Sequence, residues 1–423
     1  MLLRDSRATG ILSGIKLFFV WTPPFSNSNG NKVMSNDVRA EAHRGEWAVY
    51  SREDIEQRWQ RARQLMADAE LDVLLITNEE NFQYFTGTSS TLGLHYSVTR
   101  PAVLVFPASG APTAVVGDLI ADSFKMTSYV EQVVGYQDVL RFPFELIVDV
   151  LSACGARRVG AELGREQRMG MPVGDYLAVC DALADVDFVD AAEVIIVQRM
   201  VKTAEEVAYM RQAADITGRA RQRMFDEVHS GMTERDVVRC LRRLILEEGG
   251  DRTSFVHLIA GFPAAHSQHH LDRPLSRGAL LYVDAGAYVR YHTIDYARFA
   301  TLGPATDKQK HAHATLLEAN ARMIDALAPG ISCAQLHHIG ANVIEAAGYE
   351  IPPSGRIGHG QGLQFTEPPS ITPDDSTVLE AGMVISTEPE VALDMLWEDV
   401  HVITETGSEQ LTAETVELRE LDF

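Results

Sequence analysis

The sequence predicts an α+β protein, in which a smaller N-terminal α/β domain precedes a larger domain organised around two acid-bearing β-hairpins. Three observations carry this. Between residues 48 and 195, short apolar runs alternate with amphipathic stretches, as packed strands and helices do. From Val201 onward the chain nearly repeats itself. Residues 281–299 and 384–404 each read as a hairpin that sets two carboxylates on one face.

In the first domain, Ser51 followed by Asp54 resembles a capping box, opening an amphipathic helix to about Glu70. The run LDVLLIT (71–77) is a buried strand, and residues 78–84 turn into a short helix. Strands are expected at 101–107, 113–116, 159–162 and 188–190, with helices at 144–153 and 172–183. No glycine-rich phosphate loop interrupts them, because Gly87, Gly93, Gly110 and Gly117 are too dispersed.

Thr203 with Glu206 forms a second capping box, and a long helix to about Val228 follows. Gly231-Met-Thr then opens a helix ending at Gly249, and Gly330-Ile-Ser opens one ending at Gly348. Gly278 precedes Asp284 by the same interval that separates Gly382 from Glu388. Both halves therefore read helix, helix, loop, hairpin. A pseudo-twofold relating them is expected to merge the hairpins into one sheet backed by helices.

A tight turn between Val289 and Arg290 would set Asp284 opposite Asp295, with Cβ atoms ~5 Å apart. Glu388 and Glu398 are symmetric about Leu393 in the same way. An exposed acid pair usually does nothing but face water. Here, however, Asp284 follows ALLYV and Glu388 follows GMVIST, runs that should be buried. A buried carboxylate needs a proton, a cation or a metal. His359, in RIGHGQG, offers a fifth and softer donor, with glycines that allow close backbone approach. One imidazole and four carboxylates make a hard site suited to Mn²⁺ or Fe²⁺, with Co²⁺ or Zn²⁺ also compatible. Four acids exceed what a single divalent ion needs, so two ions bridged by hydroxide are expected.

The net charge of −22 argues against nucleic acid or an anionic membrane as partner. Cys154, Cys180, Cys240 and Cys333 form no CxxC pattern, which fits a reduced, cytoplasmic chain. No apolar run approaches the ~20 residues of a membrane helix. The run 11–21 is apolar but short, and an Asn/Ser/Gly-rich stretch and Met34 follow it. Residues 1–47 are therefore set aside as a leader, expected to be disordered at least to residue 33, with domains at 48–195 and 196–423.

These motifs are similar to those of the M24 "pita-bread" metallohydrolases over residues 201–412. The resemblance rests on VDAG with Asp284, DYARF with Asp295, GHGQG with His359, STEPE with Glu388 and WEDVHVITETG with Glu398. Residues 51–195 resemble the N-terminal domain of the prolidase, aminopeptidase P and creatinase branch. The resemblance implies that Asp284, Asp295, His359, Glu388 and Glu398 ligate two divalent ions, and that Glu388 also shuttles a proton. It also implies that His266 is a substrate-contacting histidine and that Arg100 holds a substrate carboxylate, acting across a homodimer interface. His95 and Tyr96 are weaker candidates for the same wall. At the position of a second family histidine this chain has Thr366, whose hydroxyl can donate a hydrogen bond but cannot become a cation near neutral pH.

Three functions follow from the resemblance. The first is an Xaa-Pro dipeptidase or aminopeptidase acting on small peptides. The second, favoured by Thr366 and Arg100, is a non-peptidase member acting on a small carboxylated zwitterion, of the creatinase, ectoine hydrolase or dimethylsulfoniopropionate lyase kind. The third is a metal-free binding protein on the same fold, against which the intact five-residue set argues.

Overall fold

The computed structural model describes residues 40, 43–88, 100–138, 140–260, 272–351, 354–391 and 395–423. The expected leader, apart from Ala40 and the last few residues before 48, lies outside the described residues, as do His95, Tyr96 and His266.

The first part of the chain folds as α1 (Arg52–Asp68), β1 (Val73–Ile76), α2 (Glu79–Thr86), β2 (Val103–Pro107), β3 (Thr113–Gly117) and α3 (Asp118–Thr127). It continues with β4 (Gln132–Tyr136), α4 (Phe144–Ala153), β5 (Arg158–Ala161), α5 (Val173–Ala182), β6 (Asp187–Asp190) and α6 (Ala192–Met200). The six strands form one mixed sheet in the order β4-β3-β2-β1-β5-β6. Strand β1 is apolar throughout because both of its faces are covered. Leu74 and Ile76 pack into one core and Val73 and Leu75 into the other.

Three elements here were not expected. Helix α3 follows β3 directly from Gly117 with no side-chain cap to mark its start, and β4 is a half-exposed edge strand without clear alternation. Residues 194–197 (VIIV) carry strand propensity yet lie in α6, where the Asp190 carboxylate accepts from the Ala192 amide and starts the helix. At Ser51 only half of the expected capping box forms. The hydroxyl accepts from the Asp54 amide, whereas the Asp54 carboxylate turns to Arg58 at 2.8 Å.

The second part begins with α7 (Ala204–Glu227) and α8 (Glu234–Glu247), each opened by the reciprocal capping box of Thr203/Glu206 and Thr233/Asp236. Strands β7 (Arg252–Ala260), β8 (Leu280–Val289), β9 (His292–Thr293) and β10 (Tyr296–Leu302) follow. The second half repeats the plan with α9 (Asp307–Ala326) and α10 (Cys333–Ala346), then β11 (Gly358–Gly360), β12 (Glu367–Ser370) and β13 (Val384–Thr387). The chain closes with β14 (Glu390–Val391), β15 (Met395–Leu396), β16 (Asp399–Ile403), β17 (Ser408–Gln410) and β18 (Arg419–Leu421).

The expected repeat is present, but the hairpins do not merge into one sheet. One half holds β18-β10-β8-β7 with β9 paired to β8, and the other holds β12-β11-β13-β16-β17. The two adjoin where the Glu398 amide donates to the Ala297 carbonyl at 3.4 Å. Beside this seam Arg298 donates to the Ala297 and Glu398 carbonyls and pairs with Asp399, so one guanidinium ties both sheets.

The first acid hairpin also turns one residue later than expected. Val289 pairs with His292, and Arg290 and Tyr291 form a two-residue turn with φ of 48° and 69°, the signs of a type I′ turn. Neither residue is the usual Gly or Asn. Packing supplies the reason. Tyr291 lies against the Val49–Tyr50–Ile55 cluster of the N-terminal domain, and the Arg290 amide donates to Asp251 at 2.7 Å.

A buried charge cluster joins the two parts at the same place. Arg58 stacks 3.7 Å from the Tyr50 ring centroid and approaches Glu206 to 3.5 Å, and His292 contacts the other Glu206 oxygen at 3.2 Å. Burial opposes the Glu206 charge, but Arg58, His292 and the Thr203 amide outweigh it and hold the carboxyl down to about 2. Removing one member leaves an uncompensated buried charge. Arg58→Met is therefore expected to cost about 3–5 kcal/mol of stability in chemical denaturation. A loss below 1 kcal/mol would show that the junction contributes little.

Candidate metal centre

Five elements bring the expected ligands to one place. Asp284 lies midway along β8, Asp295 in the link between β9 and β10, and His359 at the centre of β11. Glu388 follows β13, and Glu398 immediately precedes β16. The corrected turn moves the Asp284 partner from Asp295 to Ala297, so the two aspartates are diagonal neighbours rather than directly opposed. They still share a face, because the register change is two residues. Gly286 permits this arrangement. A Cβ there would sit 1.6 Å from the Ile294 carbonyl oxygen, so only glycine lets the Ile294–Asp295 backbone approach β8. The second hairpin keeps the expected register, with Thr387 opposite Asp399 and Glu390 opposite Leu396.

The His359 Nε2 atom lies 3.9 Å from Asp295, 3.7 Å from Glu388 and 3.5 Å from Glu398. Ligand atoms of Asp295, His359 and Glu398 all fall within 4.8 Å of one another. The other imidazole nitrogen, Nδ1, contacts the Gly360 carbonyl at 3.0 Å. That contact places the proton on Nδ1 and leaves the Nε2 lone pair facing the acids. Burial and the nearby Arg356 push the imidazole down to about 3, so it is neutral at physiological pH.

The acids behave oppositely. Burial drives Glu388 up to about 8, with Asp284 adding to the rise and Arg356 opposing it. Burial followed by mutual repulsion holds Asp295 and Glu398 well above the usual carboxylate range, and burial also raises Asp284. Asp284 Oδ1, Asp295 Oδ1 and Glu398 Oε2 are buried with no hydrogen-bond partner among the described residues. Buried carboxylate oxygens are normally satisfied, so the orphans on Asp295 and Glu398 beside the imidazole lone pair, with a third on Asp284 next to Asp295, fit a divalent cation. The remaining atoms are held in place. Gln361 exchanges two hydrogen bonds with the Asp295 backbone, and Ser386 donates to Glu398 Oε1.

Adjacent Asp399 shows what a structural acid looks like here. It accepts from Arg298, Trp397, Asn320 and Thr412. Although it is equally buried, those partners keep its carboxyl below its usual value. The period of two along a strand sends Glu398 inward and Asp399 to this network.

The acids open into a cavity of about 450 Å³ whose lining includes Thr366, the facing Phe255 and Phe365, Tyr282, His257 and Arg356. The structure thus places Thr366 on the cavity wall. Arg100 is exposed at the start of β2 and does not line this cavity in the same chain. Sequence reasoning missed His257, Tyr282, Gln361 and Arg356. Tyr282 was legible, since it stands two residues before Asp284 on the same strand face. His257 lies directly opposite Asp284 across the β7–β8 pairing, which no local pattern gives.

Comparison with known proteins bears on what this centre is. Residues 208–405 match the profile of metallopeptidase family M24, and residues 58–201 match that of the creatinase/prolidase N-terminal domain. The chain is 32% identical to the Xaa-Pro dipeptidase of Pyrococcus furiosus over 52% of its own length and 65% of that protein. It is 30% identical to the Xaa-Pro dipeptidase of Pyrococcus horikoshii over 55% of its own length and 68% of that relative. Its fold is shared with the crystal structure of dipeptidase PepE from Mycobacterium ulcerans, with a TM-score of 0.75 at 27% identity over 88% of this chain and all of that one. The pita-bread fold, the paired domain matches and the extent of these likenesses together make the chain a member of metallopeptidase family M24, a family of metallohydrolases.

Proposed function

We propose that the chain is a dinuclear metal-dependent hydrolase of Xaa-Pro dipeptidase type, with Mn²⁺ or Fe²⁺ as the ions. The observation that carries this reading is the pair of orphaned oxygens on Asp295 and Glu398 beside His359 Nε2, with a third on Asp284 next to Asp295. Asp284, Asp295, His359, Glu388 and Glu398 would hold the ions. When bound, such ions supply Lewis acidity, which polarises a carbonyl and acidifies water. Glu388 borders the cavity, where its carboxylate can take a proton from an attacking water and hand it to a departing nitrogen. The Thr366 hydroxyl can donate to an oxygen that gains negative charge. The four free cysteines are compatible with work in a reducing cytoplasm. In the same reading the protein is a homodimer, and Arg100, exposed on the single chain, contacts substrate together with His266.

Release of proline from Ala-Pro and Gly-Pro by the Mn²⁺-loaded protein is the expected result. One observation favours a second reading, action on a small carboxylated zwitterion: Thr366, not a histidine, stands on the wall. Failure to release proline, together with turnover of a quaternary-ammonium or sulfonium carboxylate, would select that reading. Failure of the purified protein to retain any divalent ion would remove both.

A further inference from the structure

We propose that Arg356 is the residue that selects substrates bearing a carboxylate, by receiving that group at the cavity wall. This deepens the hydrolase reading without depending on which bond is cleaved. The other deeply placed arginines in the catalytic half are committed to structure. Arg298 serves Asp399 and two carbonyls, and Arg221 serves Glu414 and the Tyr296 carbonyl. Arg356 differs from them. Its nearest carboxylate oxygen, on Glu388, is 3.7 Å away, and among the described residues no acceptor lies within hydrogen-bond distance of its guanidinium. The side chain is one-third exposed and borders the cavity, of whose lining it is the sole arginine or lysine among the described residues.

A guanidinium with open donors at the edge of an acid-rich cavity has a specific consequence. It matches a carboxylate in a planar, two-point geometry that a point charge cannot copy. It also lies beside the acids, so a substrate anchored there is held next to Glu388. The facing rings of Phe255 and Phe365, with centroids 4.6 Å apart, give the same cavity an apolar wall for a compact aliphatic or cyclic body. A small molecule with one carboxylate and an apolar body fits both features.

The test is a binding comparison in the Mn²⁺-loaded full-length protein, with L-proline and glycine betaine as probes against their amides, which keep the cationic nitrogen and lose only the carboxylate. Wild type is expected to prefer each carboxylate by about tenfold to a hundredfold. Arg356→Met is expected to erase that preference, and Arg356→Lys to restore part of it. The ratio within one variant is read because it cancels any change in metal occupancy, which is measured alongside by elemental analysis. An undiminished preference in Arg356→Met, or no preference in wild type, would overturn the proposal. If wild type fails to release proline from Ala-Pro yet shows the Arg356-dependent preference, the peptidase reading falls while this one stands.

Discussion

His359→Ala is expected to lose Mn²⁺ retention and to lower hydrolysis by about 10³-fold or more, while the protein remains folded. The imidazole lies at the centre of the cluster, in contact range of three of the four acids, and its lone pair is oriented by the Gly360 carbonyl. Removing it takes away the one donor that brings no negative charge. The four acids left behind then offer no neutral, softer ligand to complete the coordination of an ion. Structure should survive, because β11 is held by its backbone pairing to β12 and β13 rather than by this ring. Elemental analysis after dialysis and circular dichroism check the two halves of the prediction. Full metal retention in the variant would mean that the centre lies elsewhere.

Metal removal should make stability fall as pH rises. In the metal-free protein Glu388 is raised to about 8, and Asp295 and Glu398 stand higher than ordinary carboxyls, so the folded chain holds protons that the unfolded chain has released. The stability linked to these groups is fully present below their unfolded values and is lost as pH climbs through the folded ones. His359 works in the opposite sense only below its unfolded value near 6.5, so the useful window runs from pH 6.5 to 8.5. Across it the EDTA-treated protein is expected to lose on the order of a few kcal/mol, which for a chain of this length lowers Tm by roughly 2–5 °C. Saturating Mn²⁺ should flatten or reverse the slope, since ions replace the protons. A metal-free melting temperature that rises with pH over this window would contradict the picture of crowded, uncompensated acids.

The acids were legible because burial can be read from their flanking runs, and because a strand's period of two preserves faces. The first hairpin shows how far that goes. Its turn shifted by one residue, which moved the partner of Asp284 by two positions and left both aspartates on one side. The shift itself could not be read, since Arg290 and Tyr291 adopt positive φ only because Tyr291 packs on a domain distant in sequence. The second hairpin, whose β14 and β15 pack on β10 and α9 of the same domain, kept the expected register. Glu398 and Asp399 illustrate the same limit. Adjacent acids look alike in a sequence, and only the arrangement of Arg298, Trp397 and Asn320 tells which one is satisfied. The merging of both hairpins into one sheet was a topological guess, and the seam at Ala297 and Glu398 replaced it.

At that seam, divalent ions held by these side chains would have a second part to play. Asp284 and Asp295 come from the sheet on one side and His359, Glu388 and Glu398 from the sheet on the other. Cations shared among them would act as a rivet through a joint that little backbone pairing bridges. Demetallation would then remove one of three ties across the joint and leave the shared apolar core and the Arg298 contacts to hold the two sheets together.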